Sequence, residues 1–140
     1  GAAAPKVTAV STEVLRRPFA ALPDERAPEV SVPDVMIRAA QDTAGTLNDR
    51  LITVIGFTLR EADGVDLGRV MIICCAADAQ LARIHLRGPT ISELQNYPEE
   101  TWLRAAGTVL PAAANGGSTS TPPLQVQSAT RIEPPANAYA

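Results

Sequence analysis

Two adjacent cysteines, Cys74 and Cys75, are the residues of this chain with the most distinctive chemistry. They are its only cysteines, and they end a continuous apolar run, Val-Met-Ile-Ile. The small-residue turn that follows them carries one acid, Asp78. Thiolates bind soft metals and undergo redox reactions, and a nearby carboxylate can complete a metal site. The segment therefore predicts a metal-binding or thiol-redox site at Cys74, Cys75 and Asp78, with His85 of the next strand as a further ligand.

The position of the two cysteines in a predicted strand favours a structural interpretation. Consecutive residues of an extended strand point to opposite faces. Cys74 and Cys75 can therefore chelate one ion only if the backbone breaks there, which the following Ala-Ala-Asp-Ala would allow. Otherwise one cysteine is a small core residue and the other is a partly exposed thiol. Asp78, in a tight turn, would then be a local backbone cap. Both interpretations stay open on the sequence.

His85 lies in a segment where apolar and polar residues alternate, which indicates a half-buried strand. Arg83 and Arg87 share its polar face. Such a row of cationic groups could bind an anion or the acidic groups of a partner, but we expect these side chains to be solvated. His85 is the only histidine in the chain. A site built on two imidazoles from one chain is therefore excluded.

The composition limits the classes of function. The 140 residues are 46% hydrophobic and only 4% aromatic, which predicts one domain with an aliphatic core. The net charge of −3 argues against nucleic-acid binding, which needs a basic surface. No apolar run approaches the roughly 18–20 residues that span a bilayer. No Ser-His-Asp set, phosphate loop or metalloprotease motif is present. We expect neither catalysis nor a cofactor.

Along the chain, residues 1–30 are rich in proline and read as an arm that either lies against the domain, through Phe19 and Leu22, or forms a flexible tether. A helix is predicted from Ser31, which can cap it, to Gly45. A second helix is predicted from a capping box at Thr90 to about Gln95. Turn residues separate the predicted strands, which are 51–60, 68–75, 81–87, 102–110 and 124–132.

Five strands with a helix between the third and fourth are the element order of an oligonucleotide/oligosaccharide-binding (OB) barrel. Gly56, in the middle of the first strand, indicates the bend that such a barrel needs. We therefore predict a mainly β, OB-like barrel over residues 31–135, with one extra helix before the first strand and a tail over 136–140. A small β-sandwich is the alternative.

Several segments together resemble one bacterial family. They are the cysteine block 69–79, the Val-Ile-Gly-Phe that ends at Phe57, the stretch from Trp102 to Val109, and the proline-rich end with Tyr139. In this combination, and above all in the string Cys-Cys-Ala-Ala-Asp-Ala, the chain resembles the YcgQ-like family of bacterial permease subunits. The resemblance extends from about residue 33 to the C-terminus.

The resemblance implies a soluble C-terminal domain attached to the cell membrane through an N-terminal segment that this sequence lacks. It also implies a multi-spanning permease as the partner, with the domain on the extracytoplasmic side. We therefore expect a non-catalytic accessory domain of a membrane-anchored permease subunit. The alternative is a metal-binding or thiol-redox domain centred on Cys74, Cys75 and Asp78, to which the family assigns no role.

Overall fold

The computed structural model describes residues 19–42, 44–62, 64–72, 79–110 and 121–136. These residues form two helices and five strands. The helices are α1 (Val32–Gln41) and α2 (Ile91–Leu94). The strands are β1 (Ile52–Glu61), β2 (Gly64–Ile72), β3 (Ala79–Arg87), β4 (Trp102–Val109) and β5 (Pro123–Arg131).

The five strands close into a barrel in the order β1-β2-β3-β5-β4. Strands β3 and β5 pair in parallel, and the other neighbouring strands pair antiparallel. Helix α2 connects β3 to β4, and α1 precedes β1. The prediction of a mainly β, OB-like barrel with one extra N-terminal helix is confirmed.

Aliphatic side chains fill the barrel, as the scarcity of aromatic residues predicts. Every strand contributes residues at alternate positions, because alternate side chains of a strand share one face. The largest of these side chains have no exposed surface or almost none, and they are Ile52, Val54, Val65, Leu67, Ile84, Leu86, Leu103 and Leu124.

Helix α1 begins where the sequence predicts and ends earlier. The Ser31 hydroxyl accepts a hydrogen bond from the Asp34 amide at 3.1 Å, which caps the first turn. The helix ends at Gln41 rather than near Gly45, which instead adopts a positive φ of 71° beyond the helix. Val32 and Val35 are fully buried in the core. They fix α1 against the barrel.

The predicted capping box at Thr90 is wrong. Thr90 has a helical backbone, with φ −75° and ψ −10°, whereas a capping residue of this kind is extended. Its side chain makes no capping hydrogen bond. Helix α2 is a single turn, and Leu94 anchors it in the core.

The described part of the N-terminal arm, residues 19–30, lies along the barrel. Leu22 and Val30 are buried in the core. The Val30 amide donates to the Thr53 carbonyl, and the Thr53 amide donates to the Pro28 carbonyl, both at 2.9 Å. This segment therefore covers the edge of β1 at Thr53.

Strand β1 changes neighbours along its length. Residues 52–57 pair with β4, whereas residues 57–61 pair with β2. The change occurs beside Gly56, where a Cβ atom would lie 2.5 Å from the Gly68 carbonyl oxygen. A contact that short is not possible for a real side chain, so glycine is required. Gly56 thus lies where β1 passes from pairing with β4 to pairing with β2, and the bend predicted there stays a prediction.

A buried threonine ties β1 to the connection before β4. Thr58 is almost fully buried, and its hydroxyl donates to the Pro98 carbonyl and accepts from the Thr101 amide, both at 3.0 Å. The backbone of Thr58 also bonds both Glu100 and Thr101. These bonds hold the turn that leads into β4 at the wall of the barrel.

We predict that Thr58→Val destabilises the fold. The valine has nearly the same shape, but it leaves the buried Thr101 amide without its acceptor, which costs about 1–3 kcal/mol. Urea unfolding followed by circular dichroism measures this loss of unfolding free energy.

Thr108→Val is the matched control, because the Thr108 hydroxyl has no hydrogen bond to another described residue. This variant should unfold at nearly the wild-type urea concentration. Equal stability of the two variants would show that the Thr58 hydroxyl does not support the turn.

Candidate functional site

The segment that carries Cys74, Cys75 and Asp78 lies outside the described residues. The residues that flank it, Ile72 at the end of β2 and Ala79 at the start of β3, lie directly opposite each other in the sheet. The metal-binding or thiol-redox site therefore stays a prediction.

His85, the fourth predicted site residue, is far from both ends of that segment. It is opposite Asp66, whereas Ile72 is opposite Ala79 in the same ladder. At about 3.3 Å per residue, His85 lies roughly 20 Å along β3 from Ala79. The structure does not bring His85 close to the residues that flank the cysteines.

His85 instead belongs to a charged group on the outer face of β2 and β3, here called the Asp66 cluster: Glu61, Asp66, Arg83 and His85. Asp66 is only 3% exposed. One of its carboxylate oxygens accepts from Arg83 Nε at 2.8 Å, and the other lies 2.7 Å from His85 Nδ1. Arg83 also pairs with Glu61. The cluster thus compensates a buried carboxylate with two partners.

The expectation that Arg83 and His85 are solvated is wrong. Their side chains are only 31% and 25% exposed, and both are bound to Asp66. The cause is the register of β2 and β3, which places Asp66 directly opposite His85. Directly opposed side chains of an antiparallel pair lie close enough to interact.

The Asp66 contact determines what His85 can do chemically. A carboxylate beside Nδ1 favours the tautomer in which Nδ1 carries the proton, which leaves Nε2 as an acceptor when the ring is neutral. Nε2 faces Gly64, where a Cβ atom would lie 3.9 Å away. Among the described residues, no group of three or more His, Cys, Asp and Glu side chains could hold a metal ion. In this region the cluster is therefore a network of ion pairs and hydrogen bonds around Asp66.

An apolar surface continues along the same outer face toward the C-terminal end of β2 and the N-terminal end of β3. We call it the hairpin face and define it by Leu59, Gly68, Val70, Ile72 and Leu81. The methyl groups of Leu59 and Leu81 both lie within 3.2 Å of the position that a Gly68 Cβ atom would take. Ile72 and Leu81 are 37% and 44% exposed. Large apolar side chains are thus presented beside fixed charges.

Trp102 lies at the border of the hairpin face, where it packs against Phe57 and Arg69. Its ring meets Phe57 edge to face, with the ring centres 5.4 Å apart. The Arg69 guanidinium lies 5.2 Å from the Trp102 ring centre and donates to the Ile55 carbonyl at 3.2 Å. Aromatic and cation–π contacts of this kind stabilise each other's geometry. The border is therefore a packed structural element.

A cavity of about 90 Å³ lies between the end of α1 and the ends of β4 and β5. Its charged residues, Arg38 and Asp42, are already engaged. Arg38 donates to Asp34 at 3.0 Å and to Thr46 at 2.7 Å. Hydrogen bonds from Thr46, chiefly through its hydroxyl, lower the pKa of Asp42 below its usual value. This network supports the turn after α1.

Sequence reasoning missed Asp66 because it placed the start of the second strand at residue 68. The observed strand begins at Gly64 and ends at Ile72. The signal was present in the alternation of Val65, Asp66 and Leu67, which puts the acid on the polar face of a strand. The preceding residues, from Glu61 to Gly64, instead predicted a turn.

Comparison with protein-family models identifies the DUF1980 C-terminal domain over residues 35–140. This match includes all of the barrel. The chain belongs to the DUF1980 C-terminal domain family. DUF1980 is a YcgQ-like family, so the resemblance noted in the sequence is confirmed at the level of the family.

No curated protein matches this DUF1980 domain. Among solved structures, it is similar to one described as an aspartyl-tRNA synthetase from Leishmania major Friedlin, with a TM-score of 0.38 and 14% identity. That alignment covers 88% of this chain and 25% of the other. Within the described residues, no helix is both long and apolar enough to cross a membrane.

We predict that Arg83→Met destabilises the DUF1980 domain by leaving the buried Asp66 carboxylate with only one partner. Removing one partner of a buried polar group costs about 1–3 kcal/mol, and more when the group is charged. Urea unfolding at neutral pH measures the change in unfolding free energy.

Arg87→Met is the matched control, because the Arg87 side chain lies on the same face of β3 and makes no hydrogen bond or ion pair to a described residue. A surface change of this kind stays within about 0.5 kcal/mol. If Arg83→Met were as stable as Arg87→Met, Arg83 would not be what compensates Asp66.

Proposed function

We propose that this DUF1980 domain is a non-catalytic accessory domain of a membrane-anchored permease subunit, and that it acts by binding a multi-spanning permease on the extracytoplasmic side of the cell membrane. The observation that carries the proposal is the hairpin face. One face of the β2–β3 hairpin packs into the barrel core, and the opposite face leaves Ile72 of β2 and Leu81 of β3 exposed.

Exposed apolar side chains on an ordered sheet face are typical of protein interaction sites. Of the three large apolar side chains that are exposed in the described part of the chain, two lie on this face, and the third, Ile37, lies on α1. Charged residues border the face on one side, as in interfaces with an apolar centre and a polar rim. Membership of a YcgQ-like family suggests the permease as the partner.

The proposal predicts that a permease copurifies with the full-length protein. The experiment is affinity purification of the tagged full-length protein from detergent-solubilised membranes, with the bound proteins quantified by mass spectrometry. Because truncation of central apolar contacts costs about 2 kcal/mol or more, the double variant Ile72→Ser/Leu81→Ser should recover the permease at least about tenfold less efficiently.

Ile37→Ser is the matched control, since it removes an apolar side chain of similar exposure (46%) from outside the hairpin face. It should recover as much permease as the wild type. Purification of the wild-type full-length protein without any permease would contradict the proposal. Equal losses in both variants would contradict the assignment of the hairpin face.

A further inference from the structure

The second half of β2 has an edge that no described residue covers. Strand β1 pairs with β2 only from Phe57 opposite Gly68 to Glu61 opposite Gly64. Beyond Gly68, β2 continues to Ile72 and pairs with β3 alone. On the N-terminal side of Phe57, strand β1 pairs with β4 instead. A gap therefore opens between the two strands that are neighbours elsewhere.

The backbone groups on the two sides of this gap differ in their hydrogen bonding. On the β1 side, Pro28 and Val30 bond Thr53, and Arg69 donates to the Ile55 carbonyl. On the β2 side, Val70 and Ile72 have no hydrogen bond across the gap to a described residue. The uncovered backbone therefore belongs to β2.

Hydrogen bonding in the ladder shows which backbone groups point into the gap. The Arg83 amide donates away from β2 to the Met36 sulfur at 3.3 Å, and the His85 amide donates away to the Pro122 carbonyl at 2.9 Å. Their partners in β2 are thus non-hydrogen-bonded positions. In an antiparallel pair these positions alternate. Val70, opposite Leu81, and Ile72, opposite Ala79, therefore direct their N–H and C=O groups toward the gap.

We infer that the partner binds by strand addition: an extended segment of the permease pairs with the edge of β2 at Val70 and Ile72 and lays alternate apolar side chains on the hairpin face. The inference rests on the proposed function and specifies its binding mode. An uncovered row of backbone donors and acceptors recognises an extended polypeptide. Leu81 and Leu59 of the hairpin face supply the apolar surface that selects its side chains.

Hydrogen exchange tests the inference residue by residue in the full-length protein. Rates are compared between the free protein and its complex with the copurified permease, using mass spectrometry with electron-transfer fragmentation. Exchange at the Val70 and Ile72 amides should be fast in the free protein and at least about tenfold slower in the complex. The amides of Arg69 and Met71, which bond β3 in both states, should not change.

A backbone substitution supplies an independent measurement. Val70→Pro removes the N–H that points into the gap and breaks no bond to β3, as is tolerated at strand edges. It should weaken recovery of the permease at least about tenfold, which corresponds to about 1.4 kcal/mol. Val70→Ile, which keeps the N–H, should bind normally. A folded Val70→Pro protein that binds as well as Val70→Ile would overturn the inference.

The remaining outcomes separate the two proposals. If the complex forms and the Val70 and Ile72 amides exchange as in the free protein, strand addition is wrong and the accessory function stands. If no complex forms, both are wrong. If the two amides become protected in the protein alone as its concentration rises, a second copy occupies the edge, and the inference about the permease is overturned.

Discussion

The structure depends on the close approach of β1 and β2 at two glycines. A Cβ atom at Gly56 would lie 2.5 Å from the Gly68 carbonyl oxygen and 2.9 Å from Leu67 Cγ. Only a residue without a side chain permits β1 to pass this point. Strand β1 can then pair with β2 over one half and with β4 over the other, which is how one strand joins both sides of the barrel.

The change of neighbours along β1 divides the outer face of β2 and β3 into two regions. Where β1 stays paired, the register brings Asp66 between Arg83 and His85, and both side chains bind its buried carboxylate. Beyond the pairing with β1, no described residue covers the edge of β2, and the outer face carries Ile72 and Leu81. The proposed accessory function follows from this arrangement.

Local patterns predicted the barrel well because each element has a strong signal of its own. The alternation around Ile84 and the Ser31 cap each depend on neighbours in sequence, and the structure agrees with both. The Asp66 cluster was not predictable in the same way. It depends on which residue of β2 lies opposite His85, and that register follows from long-range strand pairing and from packing of the barrel core. The capping prediction at Thr90 was wrong although the sequence motif is present. The chain enters α2 with a helical backbone at Thr90, which an N-cap residue does not have.

The most direct test of this account compares the urea unfolding of Gly56→Ala and Gly64→Ala. At Gly64 a Cβ atom would meet its nearest neighbour, His85, at an ordinary 3.5 Å, whereas at Gly56 it would collide with the backbone of β2. Overpacking of this kind typically costs about 1–3 kcal/mol, so Gly56→Ala should lose at least that much stability. Gly64→Ala should lose much less stability, because its Cβ atom makes no close contact. The comparison is matched, since both variants replace a strand glycine by alanine. Equal unfolding free energies for the two variants would contradict the claim that closure of the barrel depends on the approach of β1 to β2 at Gly56.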